Sequence, residues 1–307
     1  MKIHILLATF QSEKFLEEQL DSILDQEYRD FQLFIRDGGS SDSTLSILKK
    51  YEKKDARIRF LGSSPAGVKE NFSVLMEEAS GGDLYLFADH DDVWFPHKLG
   101  ALLELYGKLE KEYSSRMPLL VFSDSTVTDE NLCPIAFSHF RYQNLDPRKM
   151  ELSRLLLQNV PSGNTMLFNE EMRLAVGRIP EKAVYHDHYM ALVASAIGKY
   201  ACTREPLLFY RQHKKNVCGA KAYSLIGFFW KLSGGISEVR KRLYENLRQG
   251  EELLARCGER LSVEDREMLA ALSSLENKGF WERRRLLWKY RIRKNGFFRN
   301  LGMYIIV

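Results

Sequence analysis

The sequence predicts an α/β protein, a mostly parallel sheet covered by helices on both faces and followed by a C-terminal helical extension. Three observations carry that prediction. Short apolar runs alternate with helix-spaced leucines through the first half of the chain, the rhythm of β-α-β units. One such run, Leu84 to Ala88, leads directly into Asp89-His90-Asp91-Asp92-Val93-Trp94, and open α/β sheets bind ligands at the carboxyl ends of their strands. After about Gly219 the strand-like runs stop and helical spacing continues to the end.

The elements follow in order. Residues 3–9 form a compact apolar run and read as a buried parallel strand. Leu16, Gln19, Leu20, Ile23 and Leu24 then recur at helical spacing. A second strand over 31–36 ends in Asp37-Gly38-Gly39-Ser40-Ser41-Asp42, and a helix over 43–54 turns Leu45 and Leu48 inward. A third strand over 58–61 and a helix over 68–79 precede the strand that feeds the aspartates. Further strands are expected at 119–122, 165–168 and 207–210, with helices at 152–157, 170–176 and 188–197. Ser262-Val263-Glu264-Asp265 has the form of a capping box opening a helix to Asn277. The expected division is a main domain over 1–220 and a helical, basic extension over 221–307.

With 45% hydrophobic and 28% charged residues in a chain of 307, the composition is that of a globular protein with room for a sizeable core. The net charge of +4 hides an asymmetry: residues 281–307 carry +7 and the preceding 280 sum to −3. The body therefore does not suit nucleic acid, whereas the tail suits an anionic membrane surface. Trp281, Trp288, Tyr290, Phe297, Phe298 and Tyr304 add interfacial aromatics, and the stretch 223–232 is apolar. On a helical wheel, however, Arg284 and Arg291 interrupt the stripe of Phe280, Trp281, Leu287 and Trp288. A basic helix packed through its aromatics is the alternative. Cys133, Cys202, Cys218 and Cys257 lack metal-type spacing and suit a reducing compartment. The run after Met1-Lys2 is too short for a signal peptide, and nothing approaches the ~18 apolar residues of a membrane span. The expected location is cytoplasmic, peripheral on the inner face of the cell membrane.

Four motifs hold chemistry. Asp89, Asp91 and Asp92 are costly to bury unpaired and suit Mg²⁺ or Mn²⁺ bridging protein carboxylates to substrate phosphates; the bland alternative is an acidic turn capping a helix. Thr9 and Phe10 end the first strand and Asp37 the second, forming a slot in which Asp37 accepts from a pyrimidine imide N–H, or else a plain turn and cap. Tyr185-His186-Asp187-His188 offers a helix cap, a histidine metal pair or a general base at Asp187. Tyr210-Arg211-Gln212-His213-Lys214-Lys215 offers cations for a diphosphate and a histidine for a metal shell, or a basic surface loop.

In this order the motifs resemble the inverting family 2 glycosyltransferases of the GT-A fold, over roughly residues 1–220. More narrowly, Asp-x-Asp-Asp-Val-Trp with Pro96 and Lys98, Ser-Gly-Asn-Thr-Met, His-Asp-His-Tyr-Met and Tyr-Arg-Gln-His-x-x-Asn-Val-x-Gly resemble rhamnosyltransferases of bacterial rhamnose-rich cell-surface polysaccharides. The resemblance implies that Thr9, Phe10 and Asp37 hold the nucleobase. It implies Asp89 at the ribose or a metal-bound water, Asp91 on Mg²⁺ or Mn²⁺, and His213 and Arg211 closing over metal and diphosphate. Asp92, Trp94, Gly163, Asn164 and His186 would border the sugar or acceptor, and Asp187 would be the base. The implied donor is dTDP-β-L-rhamnose, with a UDP-hexose as alternative, and the implied acceptor a polyprenyl-diphosphate-linked saccharide. Two departures stand out. His186 occupies a position that is often Glu, and Arg211-Gln212-His213 replaces the Gln-x-x-Arg-Trp of processive synthases, which favours single additions.

Other classes fit less well. Asp89-x-Asp91-x-Val93 matches the nucleophile motif of haloacid-dehalogenase-type phosphatases, but three strands precede it where that motif ends the first. A nucleotidyltransferase would want a glycine-rich phosphate loop that Gln11-Ser12-Glu13-Lys14 lacks. A non-catalytic nucleotide-binding protein would need no Asp91, Asp187 and His213 together.

Overall fold

The computed structural model describes residues 1–214, 216, 219, 220, 222 and 236–307; Lys215, Cys218 and the apolar stretch 223–232 lie outside the described residues. The chain opens with β1 (Ile3–Thr9), α1 (Leu16–Leu24), β2 (Gln32–Asp37), α2 (Thr44–Lys54), β3 (Ile58–Ser63), α3 (Val68–Glu78) and β4 (Leu84–Ala88). It continues through β5 (Val93–Trp94), α4 (Lys98–Tyr113), β6 (Leu119–Thr128), β7 (Pro134–Ala136), α5 (His139–Tyr142), α6 (Leu152–Leu155), β8 (Met166–Asn169) and α7 (Glu170–Val176). The last described elements are α8 (His186–Ile197), β9 (Lys199–Arg211), α9 (Ile236–Cys257), α10 (Val263–Ser273), α11 (Phe280–Lys289) and α12 (Phe297–Ile306). Two compact units result. One comprises Met1–His139, Pro161–Ile179 and Gly198–Ala220; the other comprises Phe140–Val160, Pro180–Ile197 and Lys221–Val307.

All strands among the described residues lie in the first unit. β3-β2-β1-β4 is the expected parallel set, and the sheet continues β8-β6-β9-β5 with β7 on the edge of β6. Alternation along β1 sends Ile3, Ile5 and Leu7 into a core with Leu16, Leu20 and Ile23 of α1 and with Leu33 and Ile35 of β2. On the opposite face Phe72 of α3 meets Phe87 at 4.8 Å between ring centroids, and Phe87 meets Phe168 at 4.9 Å. Burial on both faces explains why these strands read as unbroken apolar runs.

Beyond β4 the sheet is mixed rather than mostly parallel. β8 runs antiparallel to both β4 and β6, and β5 antiparallel to β9, while β6 and β9 are parallel. β6 extends to Thr128, past its apolar run, because Ser123 to Thr126 are buried although polar. The buried Asp124 carboxylate accepts from the Ser138 hydroxyl and from the Ser125 amide at 2.8 Å.

The second unit is helical. Segments 140–160 and 180–197, expected in the first domain, belong here because their apolar faces bury against the C-terminal helices. At Gly250 of α9 a Cβ would stand 2.9 Å from a Leu269 methyl and 3.0 Å from one of Leu156, so a larger residue there would have to displace those two side chains. Ser262 caps α10 as expected, its Oγ accepting from the Asp265 amide at 3.0 Å, and the helix ends at Ser273 with a 3₁₀ turn after it. Among the described residues Cys133, Cys202 and Cys257 form no disulfide, and no helix is long and apolar enough to cross a membrane.

α8 begins at His186, two residues earlier than expected, and buries His186 and His188. The His188 Nε2–H donates to the Leu155 carbonyl and its Nδ1 accepts from the Gln249 amide at 3.1 Å, so the ring is neutral. Burial pulls its pKa down to about 4, and that of His186 to about 3. As pH falls below the ordinary value of 6.5, the unfolded chain therefore takes up these protons first. Stability present in full above pH ~6.5 should fall progressively toward pH ~4, by on the order of 3 kcal/mol for His188 alone. Urea melts across that window should show a shallower pH slope for His188→Gln than for the wild type. Parallel slopes would mean that His188 does not set the acid response.

Candidate active site

The parallel registers set the site's first edge. Thr9 pairs with Asp37 and Leu7 with Ala88, so the residues that follow β1, β2 and β4 leave the sheet on one side. There Asp37 is 0% exposed. Its Oδ1 accepts from the hydroxyls of Thr9 at 2.9 Å and Ser40 at 2.6 Å. Its Oδ2 accepts from the amides of Gly39 and Ser40 at 2.9 and 2.7 Å and from Ser63 Oγ at 2.6 Å. Burial alone would raise its pKa, but the donors from Ser40, Ser63 and Thr9 outweigh it and hold the carboxyl below its ordinary value. Five donors saturate a carboxylate. Asp37 is thus the clamp of its own loop, not an open acceptor for a base as the sequence suggested. Gly38 sits where a Cβ would meet Asn71 Nδ2 at 2.9 Å, and Gly39 has a φ of +88°. Phe10, by contrast, is 53% exposed.

The antiparallel strands supply the other edge. Because β8 runs against β4, the Gly163–Thr165 turn before it arrives at the carboxyl end of β4. Asn164 Nδ2 there donates to Asp92 Oδ2. Because β5 runs against β9, Phe209 lies opposite Val93, and Arg211 comes level with the aspartates. The Arg211 amide donates to Asp92 Oδ1 at 3.2 Å and its Nε to the Asp91 carbonyl at 2.8 Å. Its Nη1 donates to the Glu130 carbonyl at 2.6 Å, its Nη2 pairs with Glu18, and the guanidinium lies over Phe15. At 2% exposure, Arg211 braces the acidic loop; it is not held open toward a diphosphate.

Asp91 meets His213, Nε2 to Oδ2 at 2.8 Å, with side-chain exposures of 9% and 8%. Burial would raise the Asp91 pKa, but the His213 hydrogen bond and the charges of His90 and His213 lower it further than burial raises it. Among the described residues no three His, Cys, Asp or Glu side chains converge as a metal cage, so the expected trio with Asp89, which is half-buried, is not assembled. The pair itself fits a hard cation. Adjacent octahedral ligands at ~2.1 Å stand about 3 Å apart, and Mg²⁺ commonly takes one or two protein groups, leaving its other positions to phosphate and water.

Asp92, Trp94 and Asn164, expected beside the sugar, form a buried polar layer instead. Asp92 and Lys98 are each 0% exposed. Lys98 Nζ donates to the Asn164 carbonyl at 2.6 Å and lies 3.5 Å above the Trp94 ring. Burial, with the charges of Asp91 and Asp89, pushes the Asp92 carboxyl well up; burial pulls the Lys98 ammonium well down. Gly163 and Trp94 are likewise buried. Lys98 and Asn216 entered the sequence reading only as members of motifs, with no role given. For Lys98 a further signal was present: a cation at the first position of α4 opposes the helix dipole and needs a reason. Asn216 donates to the Arg211 carbonyl at 3.0 Å and to Asp91 Oδ2 at 3.3 Å. Arg36, which donates to Asn71 at 3.2 Å and Ser64 at 2.6 Å, was given no role either.

Asp187 and His186 belong to the second unit. Asp187 lies in the first turn of α8, half-buried, and its Oδ1 accepts from the His188 amide at 2.7 Å. It is inside the helix, not its cap. His186 is 7% exposed and with His188 forms part of the packing, so the two are not an open metal pair. Glu170, the next carboxylate to consider as a base, bonds Arg173 and Tyr85 at 2.6 Å. It follows Asn169, which pairs with Leu84 at the opposite end of β4 from the aspartates.

Comparison with known proteins gives a consistent setting. The profile described as glycosyl transferase family 2 matches residues 4–159. The dTDP-rhamnosyl transferase RfbG of Shigella flexneri is 24% identical over 229 residues, 70% of this chain and 74% of that protein. The GalNAc(5)-diNAcBac-PP-undecaprenol beta-1,3-glucosyltransferase of Campylobacter jejuni is 25% identical over 205 residues, 60% of this chain and 62% of its own length. Among solved structures, S. aureus TarS 1-349 with UDP-GlcNAc superposes with a TM-score of 0.59 at 16% identity, over 94% of this chain and 80% of that one. Mannosyltransferase PcManGT of Pyrobaculum calidifontis, with GDP-Man and Mn2+, gives 0.52 at 13% identity, over 99% and 84%. These likenesses show the fold.

The buried layer makes a stability prediction. Lys98→Met removes the buried donor to the Asn164 carbonyl and the positive field that opposes the rise of the Asp92 carboxyl, and should cost on the order of 3 kcal/mol. Adding Asp92→Asn should recover part of that, because Asn164 Oδ1 has no partner among the described residues and a flipped amide can accept from the new side chain. Equal denaturation midpoints for the single and double variants would show that the two charges are not coupled.

Proposed function

The chain belongs to glycosyl transferase family 2, and from that premise we propose that it transfers L-rhamnose from dTDP-β-L-rhamnose to a hydroxyl of a polyprenyl-diphosphate-linked saccharide. The family membership and the bacterial relatives support a role in bacterial polysaccharide synthesis. The observation that carries the mechanism is the Asp91–His213 pair at the carboxyl edge of β4. The donor reading is supported by the likeness to a dTDP-rhamnosyl transferase, and the acceptor reading by the likeness to an enzyme named for an undecaprenol-linked substrate. With such an acceptor the protein would work peripherally at the inner face of the membrane.

Asp91 and His213 would hold Mg²⁺ or Mn²⁺, whose charge stabilises the departing diphosphate. Thr9 and Phe10 would border the base, with Asp37 fixing the loop beneath it. Asp89 would face the ribose, and the exposed Lys214 would meet phosphate. Gly163 and Asn164 would bound the sugar through their backbone, set in place by Lys98. Asp187 would take the acceptor hydroxyl's proton as that oxygen attacks the anomeric carbon opposite the diphosphate. The new C–O bond forms as the sugar–phosphate bond breaks. One displacement inverts the centre, so a β-linked donor gives an α-L-rhamnoside, with no second carboxylate required as nucleophile.

A donor screen with a purified synthetic lipid-linked acceptor, read by mass spectrometry, tests the assignment. The expected product gains one deoxyhexose and releases dTDP; transfer only from a UDP-hexose would replace the donor reading. Asp91→Ala should lower turnover ~10²–10³-fold, on the order of 3–4 kcal/mol of barrier, with little change in folding. Full activity of that variant in EDTA would sink the metal role. Asp187→Asn should keep donor binding while kcat collapses, since a proton is accepted only as the transition state forms. Wild-type turnover in Asp187→Asn would leave that residue a purely structural member of α8.

A further inference from the structure

We propose that α11 and α12 present a docking face for an anionic phospholipid bilayer. The sequence alone left the C-terminal aromatics either packed inward or turned out, and the structure separates them. Leu287, Met303 and Ile306 are buried within the second unit. Trp281 is 79% exposed, Trp288 71%, Phe297 73%, Leu301 47% and Ile305 56%. Helical spacing puts Trp281, Arg285 and Trp288 on one face of α11, and Phe297, Leu301 and Ile305 on one face of α12.

Arg284, which interrupts the aromatic stripe on a helical wheel, is used internally. Its guanidinium covers the Phe280 ring at 3.4 Å and donates to the carbonyls of Phe280 at 2.9 Å and Ile305 at 3.3 Å, tying the end of α12 to α11. The apolar residues left outside are therefore two ordered rows, not frayed ends. Exposed Arg285, Lys289, Arg291 and Arg293 border them, in a segment of net charge +7.

Charge selects the occupant. A second copy would bring one +7 segment against another and be repelled. A single-stranded nucleic acid would use the tryptophans and the cations but leave the aliphatic Leu301 and Ile305 unpaired. A bilayer with anionic headgroups takes all three: tryptophan at the interface, aliphatic and phenyl side chains in the acyl boundary, and Arg and Lys at the headgroups. Each basic residue near such a surface raises partitioning roughly fivefold.

The test uses the full chain and synthetic vesicles, so it can succeed or fail whatever the donor and acceptor prove to be. The wild type should float with vesicles of about one-third phosphatidylglycerol in phosphatidylcholine at ~0.1 M salt, and be released near ~1 M. It should not float with phosphatidylcholine alone. Arg285→Gln/Lys289→Gln should weaken partitioning about 25-fold, and Trp281→Ser/Trp288→Ser at least about tenfold. Both double variants should melt like the wild type, since every altered side chain faces solvent. Equal binding to neutral vesicles, wild-type binding by both double variants, or a dimer that the tryptophan changes dissolve would each overturn the proposal.

Discussion

Three carboxylates at the end of one buried strand are the constraint around which the first unit is built. Ionised oxygen taken from water costs several kcal/mol per group unless something answers it. Each aspartate after β4 meets that cost differently. Asp91 takes the His213 imidazole. Asp92, deeper, takes the Arg211 amide and the Asn164 side chain and sits in the field of Lys98. Asp89 remains half-buried. The result is one charge-rich loop with an outer member suited to a cation and an inner member that holds the surrounding backbone.

The inner member needs partners from far along the chain, and the mixed sheet supplies them. A parallel continuation beyond β4 would have placed the start of the next strand at the far edge. Inserting β8 in the opposite sense brings the Gly163–Thr165 turn to the aspartates, and the β5–β9 pairing brings Arg211 and then His213. Arg211 spans the Asp91 backbone, Glu130, Glu18 and Phe15, so segments distant in sequence are held by one planar cation with five donors. Such bracing fits transfer chemistry, where a group displaced by an ångström loses much of its effect.

The second unit follows another rule. Its described polar interior is neutral: His188 is buried as the uncharged ring between a carbonyl and an amide, and Leu156 and Leu269 close in over Gly250. Asp187 sits at the start of α8, where a negative charge complements the helix dipole. Trp281, Arg285, Trp288 and Lys289 lie on the outside of α11, while Arg284 is used internally. One chain thus carries anionic character in the aspartate loop after β4 and cationic character on its C-terminal helices.

Local pattern settled much of this. The existence of the first four strands, their parallel sense, the Asp37 loop, the Ser262 cap and the aspartates at a strand's end follow from apolar periodicity, turn residues and short motifs, all of which act over a few residues. The roles of single side chains did not follow, because a carboxylate or guanidinium looks the same in sequence whether open or enclosed. Only tertiary structure made Asp37 a clamp, Arg211 a brace, Trp94 a seat for Lys98, and His186 and His188 part of a packed interior. It likewise decided the sense of β8 and β5 and the side on which Trp281 and Trp288 lie. These outcomes depend on which distant donors arrive and how much water they exclude, and no local pattern encodes either.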